Sequence, residues 1–444
     1  MSWQEIDPGR YERPFDTIER NFWDIAAFGS HLKKQHYLIS SAVQFKNLPS
    51  VTAVKQAWMM FRHKHPQIAV VPDANRQQLV YTVPSPEDLD AWVQETLSIY
   101  ADNESRSAED LTAELSPCHL FMLHYLPSSR ELLFRTPHWR TDGVGLIHLQ
   151  HEFCSLLAQG PSGTPLVFDG SEISRFPPPM DKVTGIPLKV TPQMSQAADR
   201  QSCMPASFRE ALSSTSPAAP RRIGTHFTRD VSQQIITASK ARGVTITTSV
   251  HAALVKAMLP HVTASDGRLI GFGSFDIRGL LPQPWNGVAG GAGLYLAGKP
   301  SSIEFTNMKE FTSIAGYLTT YYQRRDLQQL LESTADCVSQ VGAILAAPPE
   351  VMLDAPGAAH PELSSLGVIE QRLPSRYTGA TAILEIENWW LGVDIINRVL
   401  QMYVWTRDGQ LHLTCHYNEA FYERDFIKRF LEEWEAVLVT ELIF

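Results

Sequence analysis

Cysteine is scarce in this chain, and no two cysteines lie close in sequence. The five among 444 residues (Cys118, Cys154, Cys203, Cys337 and Cys415) form no C-x-x-C unit and are odd in number. That pattern argues against a disulfide or zinc framework and suits free thiols in a reducing compartment. Long apolar runs are lacking too. No uncharged apolar stretch reaches the roughly 18–20 residues that span a bilayer. The opening residues, MSWQEIDPGRYERPFDTIERNFWD, mix charges without the apolar core of a signal peptide. A soluble protein of the cytoplasm, with no membrane partner, is the expectation. Basic runs are equally absent: the formal net charge is -9 and no run of Lys and Arg exceeds two. Such a chain has no general grip on a phosphate backbone, and nucleic-acid binding is set aside.

What the chain does contain is core-forming material. Apolar residues make up 44% against 19% charged, and the length suits two domains of about 200 residues each. Val51 to Phe61 has helical apolar spacing and stops at Pro66. Leu132 to Thr136 (LLFRT) reads as a strand ending at Pro137, and Gly143 to Leu157 reads as a helix with an apolar stripe. From Gly160 to about Arg222 the composition shifts to Pro, Ser, Gly and Ala, which marks a linker. Beyond it come a strand at Thr225 to Thr228, helices from Asp230 to Arg242 and from near Thr247, and a strand at Arg268 to Ser274. A hairpin is centred on Asp408-Gly409, and a last helix begins at Glu423. The expected fold is α/β, in the form of an α+β sandwich with two lobes. Residues 1–185 form the first lobe, 186–222 the linker region and 223–444 the second lobe.

The chemistry concentrates at His138-Trp139-Arg140-Thr141-Asp142-Gly143, on the turn between a strand and a helix. Transfer of an acyl group to a hydroxyl or amine needs a base that is neutral at pH 7 and can return the proton, and imidazole suits both tasks. The Asp can fix the turn by pairing with a cation elsewhere, and the Gly eases the chain into the helix. With 15 histidines, a chance His-x-x-x-Asp-Gly arises in roughly one chain in twenty at average residue usage. The motif alone is therefore suggestive only. A surface-turn His beside a helix-capping Asp is the plain alternative.

Three further segments follow in order. The helix ending in His-Lys-His-Pro66 resembles the first helix of the superfamily that contains chloramphenicol acetyltransferase, peptide-synthetase condensation domains and plant-type acyltransferases. His138 to Gly143 matches that superfamily's HxxxDG motif, Asp276-Ile277-Arg278 its Asn/Asp-x-Arg segment, and Leu363 to Ile369 (LSSLGVI) a late strand of condensation-type members. The final hairpin and helix are also similar. The resemblance is nearest to fungal secondary-metabolite O-acetyltransferases of the trichothecene O-acetyltransferase type. It implies two chloramphenicol-acetyltransferase-like lobes with an interlobe tunnel. It also implies His138 as general base, Asp142 and Gly143 as structural motif residues, Arg278 as the partner of Asp142, and an acyl-CoA donor, with acetyl-CoA the first expectation. The acyl group would pass directly, without an acyl-enzyme. Departures are clear as well: the second histidine of condensation domains is Pro137 here, and the DFGWG signature of the plant-type enzymes is absent.

Other residues carry weaker readings. Trp139 could wall an acceptor pocket or belong to the core. Ser364 and Ser365 could donate to an oxyanion or simply build a strand. Lys240 and Arg242, with Arg221 and Arg222, could hold the charged nucleotide of CoA or be solvated surface. Gly290-Gly291-Ala292-Gly293 is not a phosphate loop and reads as a turn or bulge. The His148, His151 and Glu152 cluster fits no zinc motif, so no metal is expected. The partner is a small-molecule acceptor with a hydroxyl or amine, and the chain is expected to act as a monomer. Two alternatives stay open: a donor-independent cyclisation or condensation on the same fold, and a non-catalytic small-molecule binding protein.

Overall fold

The computed structural model describes residues 2–73, 75, 78–161, 163, 165–186, 188, 207–214, 216–263, 268–304, 308–323, 326–345 and 359–444. Cys203 and most of the expected linker lie outside them. The chain forms two compact units. One comprises Met1–Pro187, Asp276–Tyr295 and Glu370–Val393; the other comprises Leu188–Phe275, Leu296–Ile369 and Asp394–Phe444.

The first unit is built on a six-stranded sheet. Its order is Arg376–Thr378, Ile383–Val393, Ile39–Phe45, Glu131–Thr136, Met122–Leu126 and Leu97–Ile99. All neighbours are antiparallel except the last pair, which is parallel. Glu131–Thr136 is buried along its whole length, as a central strand covered on both faces should be. Pro137 has no N–H to continue the ladder and ends it. The chain then turns, with Arg140 N donating to Pro137 O at 3.1 Å, and enters the helix Gly143–Gln159. That helix buries Leu146, Ile147, Leu149, Phe153 and Leu157. Its Phe153 meets Trp58 and Phe61 of the helix Val51–Lys64 edge-on, at 5.8 and 5.6 Å between ring centroids. A second, four-stranded sheet joins Gln4–Asp7, Arg10–Pro14, Gln78–Thr82 and Val71–Pro72.

The other unit carries a four-stranded sheet in the order Pro220–His226, Gln410–Asn418, Leu400–Arg407 and Pro361–Val368. Asp408 and Gly409 have φ of 53° and 70°, the left-handed pair that closes a two-residue hairpin. The helices Arg229–Ala241 and Arg424–Leu442 pack on this sheet, and Ile246–Met258 packs against both of them. Trp434 Nε1 donates to Val250 O at 3.0 Å across two of them.

The division differs from the expected lobes. Residues 223–444 are not one body, because Asp276–Tyr295 and Glu370–Val393 belong with the first unit. The reason is pairing: Ile383–Val393 lies antiparallel beside Ile39–Phe45 as a strand of the first sheet. The strand Pro220–His226 also begins inside the stretch expected as linker.

Candidate active site

The motif residues occupy the turn between the strand Glu131–Thr136 and the helix Gly143–Gln159. Asp142 is the N-cap of the helix, with its carboxylate accepting from Gly145 N at 2.8 Å. It does more than cap. Its two oxygens also accept from Arg278 Nη2 at 3.0 and 3.1 Å and from Tyr295 N at 2.9 Å. Arg278 is itself fully engaged. Nη1 donates to Asp276 at 2.9 Å, Nε donates to Gly291 O at 3.1 Å, and Nη2 also reaches Gly293 O. Burial acts to lower the guanidinium's pKa, but Asp142 and Asp276 outweigh it and the pKa is raised. Arg278 therefore carries its charge at any physiological pH.

The run Gly290 to Gly293 acquires a role here that the sequence did not disclose. Its carbonyls, not its N–H groups, face the site: Gly291 O and Gly293 O receive Arg278, and Ala292 O receives the Thr141 hydroxyl at 3.1 Å. That polarity suits a cation, the opposite of a phosphate loop. Space explains the glycines. A Cβ on Gly290 would sit 2.0 Å from Trp285 O, and one on Gly293 would sit 2.4 Å from the Tyr295 ring. On the facing helix a Cβ at Gly145 would come within 2.1 Å of Thr141 Oγ1 and 3.1 Å of Arg278 Nη2. Gly145, two residues past the motif glycine Gly143, is thus the glycine required by close approach.

His138 makes none of these bonds. Asp142 does not hydrogen-bond to it, and the ring's polar partner is its own backbone. The ring is partly open to solvent and stacks on Phe22 with centroids 3.9 Å apart and planes 8° off parallel. Tyr37, whose φ of 57° is unusual for a bulky residue, stands edge-on at 6.3 Å. Burial is the largest influence on the imidazole and pushes its pKa down to about 4, against the opposing pull of Asp142 and of its own backbone. The ring is neutral at pH 7 and can accept a proton.

The remaining candidates fall elsewhere. Trp139 is 1% exposed and packs with Phe15, Trp23, Val70, Leu79, Tyr81 and Phe176. The cavity it lines with Arg13 and Arg140 holds about 30 Å³, room for about one water and not for an acceptor. Its place is the core, because the turn directs residues 138 and 139 to different surroundings. Ser364 and Ser365 lie on a strand of the other unit. Ser364 Oγ accepts from Gln401 Nε2 at 3.1 Å, and Ser365 Oγ is 2.8 Å from Thr247 Oγ1. Arg242, expected to hold the donor's nucleotide, spends its donors on Ala238 O, Glu441 O and Leu442 O. It secures the end of the last helix instead. Lys240 is exposed at the end of the helix Arg229–Ala241, and Arg221 pairs with Glu419 at 2.5 Å. His151 Nδ1 meets the Tyr377 hydroxyl at 3.0 Å. Glu152 pairs with Lys64. Among the described residues no group of three or more His, Cys, Asp or Glu is placed to hold a metal, and no helix is long and apolar enough to cross a membrane.

Two residues that sequence reasoning overlooked complete the site. Arg140 is buried and donates to Gln67 O and Val70 O at 2.7 Å and to His119 O at 3.0 Å. It fastens the motif turn to two other segments. Phe22 comes from the helix Thr17–Phe28, far back in the chain, and nothing in its local pattern marks it.

No protein-family model matches the chain. Among curated proteins, the acetyltransferase pigO of Monascus ruber is 28% identical over 465 residues, covering 100% of this chain and 98% of its own length. The O-acetyltransferase pigM of the same organism is 26% identical, at 100% and 87% coverage. A protein of Epichloe uncinata named loline biosynthesis cluster 1 transcription factor lolU1 is 24% identical, at 99% and 96%. Among solved structures, the TRI3 trichothecene 15-O-acetyltransferase from Fusarium sporotrichioides superposes with a TM-score of 0.81 at 17% identity, covering 100% of this chain and 98% of that one. The epimerization domain of tyrocidine synthetase B does so with a TM-score of 0.61 at 12%, covering 99% and 98%. The solved structures show a shared α/β fold, and the named acetyltransferase relatives support an acyltransferase. Within that class the chain is a relative of the fungal acetyltransferases.

Proposed function

We propose that the protein transfers an acyl group, acetyl in the first instance, from a CoA thioester to a hydroxyl of a hydrophobic, hydroxylated secondary metabolite. His138 is the base. The observation that carries this reading is a neutral, partly open imidazole with no carboxylate on it, set on a turn clamped by Asp142 and Arg278. Nδ1 is closed off, which leaves Nε2 to meet the acceptor. Nε2 takes the hydroxyl proton as the oxygen attacks the thioester carbonyl. The C–S bond then breaks, and the thiolate recovers the proton from the imidazolium. No side-chain nucleophile is involved, so the sequence of steps has no covalent enzyme intermediate. A well-placed base of this kind contributes about 10²–10⁴ in rate.

The choice of donor and acceptor draws on the relatives. Two bear the names acetyltransferase and O-acetyltransferase, and the TRI3 structure is that of an enzyme acting on a trichothecene oxygen. The test is thiol release from acetyl-CoA with a panel of hydroxylated polycyclic acceptors, comparing the wild type with His138→Ala. Turnover that survives the substitution removes His138 from the mechanism. Binding of a polycyclic ligand with no affinity for CoA would favour the donor-independent reading.

A further inference from the structure

Outside the unit that holds His138, the turn after the helix Ile246–Met258 presents a histidine with a carboxylate on each ring nitrogen. His261 Nδ1 lies 2.9 Å from Glu210 Oε1, and Nε2 lies 2.5 Å from Glu433 Oε2. The two acids come from different elements. Glu210 belongs to the segment 207–214, and Glu433 to the helix Arg424–Leu442. The segment starts as a short strand, Ser207–Phe208, antiparallel to Val262–Thr263, and Arg209 N donates to His261 O at 3.0 Å. Phe208 is 3% exposed; its ring packs tilted on His261 and edge-on to Phe426 and Phe430.

A neutral imidazole has one N–H and one lone pair, so it can donate to one carboxylate only and must turn its lone pair on the other. Both contacts are hydrogen bonds only when both nitrogens carry protons, and bonds between an imidazolium and a carboxylate are the stronger kind. Glu210 Oε2 is buried and makes no hydrogen bond of its own, which leaves that carboxylate dependent on His261. Burial acts to lower the pKa of the ring, but the hydrogen bonds and charges of Glu210 and Glu433 outweigh it and the pKa is raised. Other ionisable groups around the segment are engaged elsewhere. Arg209 donates to Val262 O, Arg398 donates to Leu212 O and Ser214 O, and burial keeps the Tyr422 phenol protonated.

We propose that His261 is a proton-operated clasp, which as the imidazolium ties the start of the segment 207–214 to the last helix and on losing its proton to solvent releases it. Deprotonation leaves one carboxylate facing a lone pair, so the two bonds are not both kept. The far end of the segment is held separately: Arg398 reaches Ser214 O at 2.6 Å, and Leu212 N donates to Phe421 O at 2.8 Å. Release is therefore confined to the stretch 207–211. Because the pKa is raised on folding, the clasp contributes fully below about 6.5 and is lost as pH rises through the folded-state value. It does not depend on the role proposed for His138.

The experiment follows the His261 Cε1–H resonance of the whole chain by NMR from about pH 5 to about pH 9, assigned by its loss in His261→Asn. Amide exchange, normalised to the intrinsic rate at each pH, is measured beside it. The midpoint should lie above 6.5, the ordinary value. Glu210→Gln and Glu433→Gln should each lower it, and together they should bring it below 6.5, because burial then acts alone. Protection of the Phe208 and Arg209 amides, which donate to Ala359 O and His261 O, should fall as pH rises through the midpoint. The fall should be about tenfold for each unit by which the midpoint exceeds the ordinary value, while amides of the strand Leu400–Arg407 keep theirs. In His261→Asn that protection should be low at every pH. A wild-type midpoint at or below 6.5, or one that the glutamine variants do not move, overturns the inference. Protection at Phe208 and Arg209 that persists through the titration also overturns it, since the ion pairs would then clasp nothing. Glu433→Gln, at a side chain 46% exposed, carries the comparison if the variants at His261 or Glu210 do not fold.

Discussion

Asp142 and Arg278 meet at 3.0 Å with side chains only 3% and 7% exposed. The carboxylate caps one helix while the guanidinium sits in a ring of carbonyls from Gly291 and Gly293. The pair joins the motif turn to a segment that returns to the first unit late in the chain. Neither residue bonds to His138, so their contribution is to hold the turn.

Breaking that pair should therefore cost stability first. Arg278→Met leaves a buried carboxylate without its cation, and Asp142→Ala leaves the cation facing Asp276 alone and removes the cap. Each should destabilise by about 3–5 kcal/mol, measured by urea unfolding. The double variant Asp142→Leu with Arg278→Met should recover part of the loss, because the orphaned charge is gone.

His138→Ala should behave in the opposite way. The side chain makes one stacking contact and no hydrogen bond that folding depends on. Tm should stay near the wild-type value while turnover falls by about 10²–10⁴. With the imidazole pKa near 4, wild-type activity should persist on the acid side to well below pH 6. An acid limb at pH 6.5 would show that the ring is not shielded as described.

Folding stability should fall as the pH drops from about 6.5. His124, His138, His251 and His412 all have pKa values pushed down by burial, to about 3 for the first and about 4 for the others. In the unfolded chain each binds a proton near 6.5. Between these values the unfolded state carries more protons, so stability is fully present above about 6.5 and is lost as pH falls toward 4. Unfolding midpoints across that window measure the slope. His124→Phe, at a site 2% exposed, should flatten it.

Gly145→Ala tests the close approach. The added methyl must displace Thr141 Oγ1, which is already bonded to Ala292 O, and press on Arg278. A loss of about 1–3 kcal/mol is expected, with activity falling alongside.

Trp139→Ala distinguishes core from pocket. A core residue of this size should cost about 3–5 kcal/mol, read as a lower Tm. The acceptor's KM should change no more than the loss of folded protein explains. A selective rise in KM with Tm unchanged would return Trp139 to a binding wall.

Much of the site's local frame was already readable in the residues. A strand stopped by Pro137, a turn, and a helix capped by Asp142 are fixed by neighbouring donors, acceptors and the 3.6-residue period. The Asp-Gly hairpin and the last helix followed from equally local signals. The resemblance to Asn/Asp-x-Arg segments named Arg278, which the structure places on Asp142. Readings of single side chains fared differently. Trp139 was read as pocket wall or core and Arg242 as nucleotide contact or surface; Trp139 packs in an aromatic cluster, and Arg242 bonds the end of the last helix.

What only the tertiary structure decided is which distant segments come together. A hydrophobic pattern states that a face will be buried but not against what. So the carbonyl cradle of Gly290 to Gly293, the return of Ile383–Val393 to the first sheet and the placement of Phe22 over His138 had no local signature. The sequence by itself determined the turn that presents His138. Long-range packing determined what surrounds that residue, because a stacking plane and a buried ion pair exist only once separate pieces of chain are brought within van der Waals and hydrogen-bond distance.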